Sequence, residues 1–392
     1  MRTCSIIGIS DSRQQWFSPE ITAVIVGGRV FSGGKRHHEI MQDFLPVDAL
    51  WLDITVPLNQ VFERYEQYED IIVFASGDPL FYGFASTVQR VFPDCEMKVY
   101  PAFHSLQTLA HRLNMPYHEM HAVSLTGRPW DAFDEALIRG EVLIGCLTDR
   151  NKTPHAIWQR MLQYGYTNYE MIVGENLGNE DKERVSRYNE HVAYSNPNCL
   201  ILKQKYPRER VFGIPDDQFH LLNGRKKMIT KMPIRLSTIA ALQLANKSSF
   251  WDVGFCTGSI SIEAKLLFPC LHVTSFEVRE EGRELMILNS QKFGTPGIHT
   301  IIEDFCTTDF SHLQSPDAVF IGGHGGKLKE MIVRIHAVLN PHGCIVFNSV
   351  SSESCQAFIE GVENVGMTCE EWATITVNDF HPITILKAYD TH

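Results

Sequence analysis

Residues 250–265 read FWDVGFCTGSISIEAK. Residues 250–253 have the apolar character of a buried strand end, residues 254–258 form a short turn with two glycines, and residues 259–267 begin a helix. A strand, a tight turn and a helix N-terminus bring backbone N–H groups together at one point. Glu277 ends the next predicted strand, where a carboxylate can accept hydrogen bonds from ribose hydroxyls. This stretch predicts a nucleoside site on a Rossmann-like sheet.

The rest of the second half continues the same alternation of strands and helices. Two consecutive strands, at 368–377 and 381–388, close it, and they predict an antiparallel hairpin on an otherwise parallel sheet. The polar segment 204–217 contains two prolines and a glycine and is the best candidate for a domain joint. We therefore expect two domains, at residues 1–205 and 206–392.

The first half also has an α/β pattern. Up to about residue 120, strands and helices alternate, with a helix starting after Ser18, a strand predicted at 23–27 and a strongly apolar strand at 70–76. Gly77-Asp78-Pro79 follows that last strand, in the kind of loop where α/β sheets bind ligands; an ordinary strand-to-helix turn is an equal alternative. Beyond residue 120 the strands become denser, which indicates two lobes.

Composition limits the classes of function. The chain has 392 residues, 44% hydrophobic and 21% charged, as expected of a globular protein. Its net charge of −11 disfavours nucleic acid as substrate. The ten cysteines form no CxxC pair and the histidines no HExxH motif, so no metal site is predicted. No apolar run reaches the ~18 residues of a membrane span, and the N-terminal apolar segment is too short for a secretory signal. We expect a soluble cytoplasmic protein without nucleic acid or membrane partners.

Several strand ends of the second half carry residues suited to a nucleoside. Asp304 can accept from an adenine amine beside the aromatic Phe305, and the glycines of 317–326 (DAVFIGGHGG) leave an open floor. A GxGxxG motif is absent, so pyrophosphate is poorly supported, and S-adenosylmethionine is the common nucleoside ligand without phosphate. The alternative is that these loops merely turn. The predicted cofactor contacts are Asp252, Gly254, Thr257, Gly258, Ser259, Glu277, Asp304, Gly322 and Gly323.

A basic segment at 225–235 stands out against the acidic chain. It contains Arg225, Lys226, Lys227, Lys231 and Arg235, which can receive a small polyanion. A solvated loop is the alternative, and charge alone favours it.

The motifs of both halves resemble known methyltransferases. Residues 252–259 are similar to the glycine loop of class I methyltransferases. The segments GIPDDQF (213–219), MITKMPIR (228–235) and IGGHGG (321–326) resemble the decarboxylating methyltransferase domain of corrin biosynthesis. The first half resembles the tetrapyrrole methylases through five segments, namely ASGDPLFYG (75–83), PAFHS (101–105), SLTGR (124–128), LTDRNKTP (147–154) and ENLG (175–178). The combination resembles the family of bifunctional decarboxylating precorrin methyltransferases.

This resemblance implies a two-lobed tetrapyrrole methylase fold joined to a class I methyltransferase sheet. It implies methyl transfer from S-adenosylmethionine to C5 and C15 of a tetrapyrrole, with loss of the ring C acetate carboxylate. It also implies a homo-oligomer, and it assigns no catalytic residue. His104 is considered as a proton carrier, although a structural role is favoured. Substrate carboxylates are assigned to Lys226, Lys227, Lys231 and Arg235, and cofactor contacts of the first domain to Gly77, Asp78 and Ser105.

Two loops depart from the family pattern. Cys256 stands where the class I family usually has glycine, so the backbone either bends differently or places Cys256 beneath the cofactor. Residues 8–12 (GISDS) lack the later glycines of the usual first loop. Two other functions stay open: methylation of another small molecule or RNA with an inactive first domain, and non-catalytic binding of tetrapyrrole or cofactor.

Overall fold

The chain forms two compact units in a computed structural model that describes residues 2–224, 228–378 and 381–390. Unit 1 comprises residues 1–128, 142–158 and 169–205, and unit 2 comprises 129–141, 159–168 and 206–392. The predicted domains 1–205 and 206–392 differ from these units in the segments 129–141 and 159–168. In the described part of the chain, no helix combines the length and apolar character needed to cross a membrane.

The first sheet of unit 1 has five parallel strands in the order β3-β2-β4-β1-β5. A helix follows each strand, so the carboxyl ends of all five strands lie along one edge. The strands are β1 (Thr3–Ile9), β2 (Val30–Gly33), β3 (Leu50–Asp53), β4 (Asp70–Ser76) and β5 (Glu96–Tyr100), and the helices are α1 (Pro19–Gly27), α2 (Lys35–Met41), α3 (Leu58–Tyr65), α4 (Phe84–Val91) and α5 (Ser105–Arg112).

The predicted strand at 23–27 is wrong. The Ser18 hydroxyl accepts a hydrogen bond from the Ile21 amide at 3.3 Å, and Pro19 opens α1, which continues to Gly27. A short apolar run fits a buried helix as well as a strand, and here the cap decides between them. The second strand of this sheet is instead β2, which starts at Val30.

The second sheet of unit 1 is mixed, in the order β6-β7-β10-β8-β9. Only β6 and β7 pair in parallel, and the other neighbours are antiparallel. This agrees with the predicted change to denser strands after residue 120. The elements are β6 (His121–Ser124), α6 (Asp131–Arg139), β7 (Leu143–Leu147), α7 (Pro154–Gln163), β8 (Tyr169–Glu175), β9 (Arg184–Arg187) and β10 (Asn198–Gln204).

Unit 2 contains a seven-stranded sheet in the order β13-β12-β11-β14-β15-β17-β16. Its first five strands are parallel, and β17 and β16 form the predicted antiparallel hairpin. The α/β fold class is confirmed. The elements are α8 (Met232–Leu242), β11 (Ser249–Val253), α9 (Ser259–Leu267), β12 (His272–Glu277), α10 (Glu281–Phe293), β13 (Ile298–Ile302), β14 (Ala318–Ile321), α11 (Leu328–His336), β15 (Cys344–Ser349), α12 (Ser352–Asn364), β16 (Thr368–Ile375) and β17 (Ile383–Tyr389).

The unit 2 sheet is covered on both faces. Along β11, Trp251 packs with Phe276 and Phe347 in one cluster, whereas Phe250 packs with Phe320 in another. Successive strand residues point to opposite faces, so a strand buried on both sides is a continuous apolar run. This explains why residues 250–253 are apolar without alternation, and it leaves the ends of the strands as the open part of the sheet.

Candidate functional site

A cavity of about 860 Å³ lies at the carboxyl ends of the unit 2 strands. The loops after β11, β12, β13 and β14 line it, together with the segment before α8. Six of the residues predicted to bind ligand are brought together here. They are Lys231, Gly254, Glu277, Asp304, Gly322 and Gly323.

Glycines let the loops after β11 and β14 approach closely. Gly254 has a φ of +78°, and a Cβ added to it would lie 2.6 Å from the Gly323 nitrogen. A Cβ at Gly322 would lie 2.9 Å from the Phe320 ring and 3.1 Å from the Gly254 carbonyl oxygen. These glycines form a cradle of backbone that side chains would fill, as a ligand approaching the main chain requires.

Cys256 has the left-handed backbone that favours glycine. Its φ is +53°, and its amide donates a 3.0 Å hydrogen bond to Oε2 of Glu277. The backbone therefore follows the glycine geometry, with a side chain added, and it links the loop to the end of β12. Burial raises the pKa of the Cys256 thiol, so the thiol stays protonated at neutral pH.

Glu277 is held by several donors. Oε1 accepts from the amides of Val278 and Arg279 and from Nε of Arg279, at 2.9–3.1 Å. Oε2 accepts from the Cys256 amide and from Nη2 of Arg279 at 2.8 Å. Burial alone would raise the pKa of this carboxyl, but hydrogen bonds from Arg279 outweigh it and lower the pKa. Glu277 is thus an ionised acceptor whose oxygens Arg279 occupies.

Asp304 lies across the cavity beside a cation. Its carboxylate pairs with the Lys327 ammonium at 2.6 Å, and that hydrogen bond lowers the pKa of Asp304. The neighbouring Phe305 lines the cavity and packs edge-on against Phe276, with ring centroids 5.0 Å apart. An acceptor next to an aromatic wall suits a purine ring and its amine.

Glycines also bring the loops at the edge of the first sheet together. A Cβ on Gly8 would lie 2.0 Å from the Gly77 carbonyl oxygen and 2.7 Å from the Ala102 nitrogen. A Cβ on Gly77, whose φ is +64°, would lie 2.7 Å from Cα of His104. The end of β1 and the loops after β4 and β5 therefore meet, and Gly8 and Gly77 permit this approach without the usual later glycines of the first loop.

The predicted cofactor residues of unit 1 lie at this meeting point. Oδ1 of Asp78 accepts from the Leu80 amide at 2.9 Å, which sets the turn after β4. Ser105 begins α5. Cofactor contact by Gly77, Asp78 and Ser105 stays a prediction.

His104 caps α5. Its Nδ1 accepts from the Gln107 amide at 3.3 Å, and its ring stacks on Phe81 with centroids 3.7 Å apart. Burial lowers the pKa of His104 to about 4, against the opposing charge of Asp78. A neutral imidazole ring whose Nδ1 accepts a hydrogen bond carries its proton on Nε2. This supports the structural role that the sequence favoured for His104.

Both halves of the chain are similar to known methyltransferases. Residues 223–391 match the family model of the precorrin methyltransferase domain, and residues 26–190 match that of the tetrapyrrole (corrin/porphyrin) methylases. A cobalt-precorrin-6B C(15)-methyltransferase (decarboxylating) of Salmonella typhimurium is 30% identical over 162 residues, which is 41% of this chain and 83% of that protein. The chain belongs to the precorrin methyltransferase family.

Relatives of this family match nearly the whole chain. A precorrin-6Y C(5,15)-methyltransferase (decarboxylating) of a Sinorhizobium species is 28% identical over 357 residues, covering 89% of this chain and 85% of that protein. A solved precorrin-6Y C5,15-methyltransferase from Geobacter metallireducens is 31% identical, covers 47% of this chain and 100% of that one, and has a TM-score of 0.43. The resemblance inferred from the motifs is confirmed.

Four predicted contacts of this precorrin methyltransferase lie beneath the loop. Asp252, Thr257, Gly258 and Ser259 are buried and are not among the described residues that line the unit 2 cavity, and cofactor contact by them stays a prediction. Oδ2 of Asp252 accepts from the Ser261 amide and hydroxyl, and burial raises the pKa of Asp252 to about 7. The Thr257 carbonyl accepts from the Asn289 side chain at 2.9 Å. These residues support the loop from beneath, because a strand end that looks open in sequence is covered by helices.

Arg235, which was predicted to bind substrate, is buried among other partners. Its side chain is 0% exposed and forms ion pairs with Glu263 and, at 3.1 Å, with Asp216. It also donates to the carbonyl oxygens of Thr230 and Ile214. Arg235 therefore anchors the segment before α8 and has no free edge for a ligand.

The other basic residues differ in position. Lys231 lines the cavity and forms a 3.7 Å ion pair with Asp216. Lys226 and Lys227 lie outside the described residues. Substrate binding by these three lysines stays a prediction.

Sequence reasoning missed several polar residues at strand ends. Arg279 and His324 line the unit 2 cavity, and Nδ1 of His324 accepts from the Gly326 amide at 3.2 Å. In unit 1, Arg36 and His37 follow β2 and contact Ser76 at the end of β4. The signal was present, since polar residues directly after strands mark the ligand edge of such sheets. Among the described ranges, no group of three or more metal-ligating side chains is arranged to hold an ion.

Proposed function

We propose that this precorrin methyltransferase methylates C5 and C15 of a precorrin-6-type tetrapyrrole and removes its ring C acetate carboxyl in corrin biosynthesis. The observation that carries the proposal is the unit 2 cavity. There, a glycine cradle, an ionised Glu277 and an Asp304–Phe305 wall meet in a chain that matches decarboxylating C5,15-methyltransferases over about nine-tenths of its length. A cytoplasmic location and self-association remain predictions.

The residues of the unit 2 cavity fit S-adenosylmethionine, which supplies an electrophilic methyl group when bound. Glu277 provides the acceptor for ribose hydroxyls, and Asp304 with Phe305 provides the polar and aromatic contacts for adenine. The cradle of Gly254, Gly322 and Gly323 leaves backbone accessible beside them. These residues hold and orient the ligand without taking part in covalent chemistry.

The substrate's carbon nucleophile is an enamine-like meso position, which needs little activation. In-line positioning in a cavity of this size supplies much of the rate enhancement. In decarboxylation, the bond from the side-chain carbon to the carboxyl breaks, carbon dioxide leaves, and the electron pair enters the conjugated macrocycle until a proton reaches that carbon. We assign Lys231, which lines the cavity, to a different carboxylate of the substrate, because a cation on the departing carboxylate would oppose its loss.

The first test is a mass assay of the purified full chain with isotope-labelled S-adenosylmethionine and precorrin-6B. We expect two labelled methyl groups to be gained and one carbon dioxide lost. A single methyl gain means that one unit acts alone, and no gain means that the chain binds its ligands without catalysis. Either result contradicts the proposal as stated.

A steric variant assigns one methyl to unit 2. A Cβ at Gly323 would have no protein atom closer than 3.9 Å, so Gly323→Val narrows the cavity without displacing the protein. We expect this variant to lose decarboxylation and one methyl transfer. Gly27→Val is the matched control, since a Cβ there would meet nothing within 4 Å and Gly27 ends α1 far along the chain from any predicted contact.

A further inference from the structure

Three side chains form a cluster at the carboxyl edge of the first sheet. Arg36 and His37 lie in the first turn of α2, directly after β2, and Ser76 is the last residue of β4. Nη2 of Arg36 and Nε2 of His37 each lie 2.9 Å from the Ser76 hydroxyl oxygen. Ser76 is exposed and precedes Gly77, where the loops of this edge converge. None of these residues belongs to the contacts predicted from sequence.

The hydrogen-bond partners of Ser76 determine where its hydroxyl proton can point. Nδ1 of His37 accepts from the Gly34 amide at 3.3 Å, and burial, aided by the Arg36 charge, lowers the pKa of His37 to about 4. The neutral ring therefore carries its proton on Nε2 and can only donate there. Arginine has no acceptor atom. Both partners of Ser76 are donors, so its own O–H has no acceptor among the described residues and is available to donate outward.

The Arg36 guanidinium is held in place from one side. Its Nε pairs with Asp11 at 3.1 Å, and the Asp11 side chain is only 12% exposed, whereas that of Arg36 is 41% exposed. Asp11 lies in the loop after β1, so β1, β2 and β4 all contribute to the cluster. Among the described residues, Nη1 of Arg36 makes no hydrogen bond and adds a second outward donor beside Ser76.

We propose that Ser76 and Arg36 bind a carboxylate group of a ligand at this edge of unit 1, with His37 and Asp11 as positioning residues. An exposed hydroxyl that can only donate and an exposed guanidinium complement a two-oxygen anion, which accepts from both. This inference rests on the proposed function, because two carboxylate sources follow from it. They are the methionine carboxylate of the cofactor and an acetate or propionate of the tetrapyrrole.

The test uses the full chain carrying Gly323→Val. This substitution narrows the unit 2 cavity, so ligand binding to unit 1 is measured separately from binding to unit 2. Calorimetry measures the Kd of S-adenosylhomocysteine and of its analogue without the carboxylate, and steady-state kinetics in the otherwise wild-type chain measures KM for the precorrin. We expect Ser76→Ala to weaken the binding of one carboxylate ligand by about tenfold or more, because the substitution removes a hydrogen bond to a charged group. Ser76→Thr retains the hydroxyl and should restore binding.

The pattern of losses distinguishes the two sources. Weaker binding of S-adenosylhomocysteine, with unchanged binding of the analogue, identifies the cofactor carboxylate. A raised KM for the precorrin with unchanged kcat and unchanged S-adenosylhomocysteine binding identifies a substrate carboxylate. If Ser76→Ala changes neither, the inference is overturned. Ser86→Ala is the matched control, since Ser86 is an exposed serine on α4 that donates only to the Gly83 carbonyl at 2.9 Å.

Failure of the proposed function gives a different result. If the Gly323→Val background binds no S-adenosylhomocysteine, the methylase assignment of unit 1 fails, and the precorrin KM alone decides the carboxylate site. If the background binds it with an affinity that Ser76 does not influence, and KM is also unchanged, only the carboxylate inference fails. Thermal unfolding of each variant shows whether a loss comes from unfolding.

Discussion

At the scale of single residues, Glu277 is an ionised acceptor in the unit 2 cavity whose two oxygens already accept hydrogen bonds from the protein. Its side chain is 3% exposed, and Arg279 donates to both of its oxygens. Ribose hydroxyls can bind Glu277 only if they replace part of the Arg279 fork. The hydrogen bond to Glu277 raises the pKa of Arg279, so the guanidinium stays charged throughout the exchange. The cofactor affinity of unit 2 therefore depends on how much stronger the hydrogen bonds from ribose to Glu277 are than the hydrogen bonds from Arg279 that they replace.

We expect Glu277→Gln to weaken S-adenosylhomocysteine binding at unit 2 by about tenfold or more. The amide replaces one anionic oxygen with a donor, and a hydrogen bond to a charged acceptor contributes roughly 1.5–3 kcal/mol. Calorimetry of the full chain, fitted with two sites, measures the change. Glu280→Gln is the control, because Glu280 is exposed and pairs with Arg283 outside the cavity lining. Unchanged affinity at both sites would refute the ribose assignment.

Residue types in the sequence predicted where the ligand edge lies, but not which side chains face it. Glu277 and Asp304 follow strands and line the cavity, as expected. Asp252 also belongs to a strand end, yet it is 1% exposed and bonded to Ser261. Arg235 carries the charge that a carboxylate needs, but Glu263 and Asp216 already neutralise it. Burial depends on neighbours distant in sequence, and the motif alone does not contain them.

At the scale of elements, the loop from β11 to α9 concentrates unusual backbone. Gly254, Cys256 and Gly258 have φ values of +78°, +53° and +74° within five residues. A left-handed conformation costs a residue with a Cβ about 1–2 kcal/mol relative to glycine. The loop holds Cys256 there because its amide must point at Glu277. A side chain at this position, where the resemblance implies glycine, thus places local strain in the loop.

We expect Cys256→Gly to unfold at a higher denaturant concentration than Cys256→Ala. The difference in the free energy of unfolding should be about 1 kcal/mol. Both variants lose the half-buried thiol, so their difference reports the left-handed strain of a residue with a Cβ minus the greater backbone entropy that glycine loses on folding. Urea unfolding followed by tryptophan fluorescence measures it, since Trp251 lies in the adjacent strand. Equal stability of the two variants would show that the left-handed strain does not exceed the entropic cost of glycine, and it would contradict this prediction.

The elements of the second half were predicted more accurately than those of the first. Parallel strands buried on both faces, such as β11 and β12, give long apolar runs between clear caps. The strand predicted at residues 23–27 was wrong because the residues of this run, AVIVG, favour strands. The helix there is set by Ser18 and Pro19 upstream, which start α1. The helix α6 was missed because only Gly140 marks its end clearly.

At the scale of the whole molecule, unit 2 contains more than the second half of the chain. Within it, the buried Tyr166 donates its hydroxyl to the Gly294 carbonyl at 2.7 Å. Asp134 is one of the charges that raise the pKa of Lys265, a buried lysine whose pKa burial lowers. Both partners come from the segments 129–141 and 159–168. A boundary at residue 205 therefore separates unit 2 from groups that complete its interior.

We expect a fragment of residues 206–392 to bind S-adenosylhomocysteine but to melt below unit 2 of the full chain. The described residues that line the cavity all lie between 228 and 383, so binding should persist. Without Tyr166, the buried Gly294 carbonyl loses its donor, at about 1–3 kcal/mol and roughly 2–4 °C per kcal/mol. Without Asp134, the buried Lys265 ammonium loses a nearby negative charge but keeps its hydrogen bonds to the Pro269 and Leu271 carbonyls. Calorimetry of the fragment and of the full chain measures the difference, and Tyr166→Phe in the full chain isolates the hydroxyl's share. A fragment that melts at the same temperature as unit 2 of the full chain would show that the segments 129–141 and 159–168 do not stabilise unit 2. A fragment that does not bind S-adenosylhomocysteine would show that the cavity depends on residues outside 206–392.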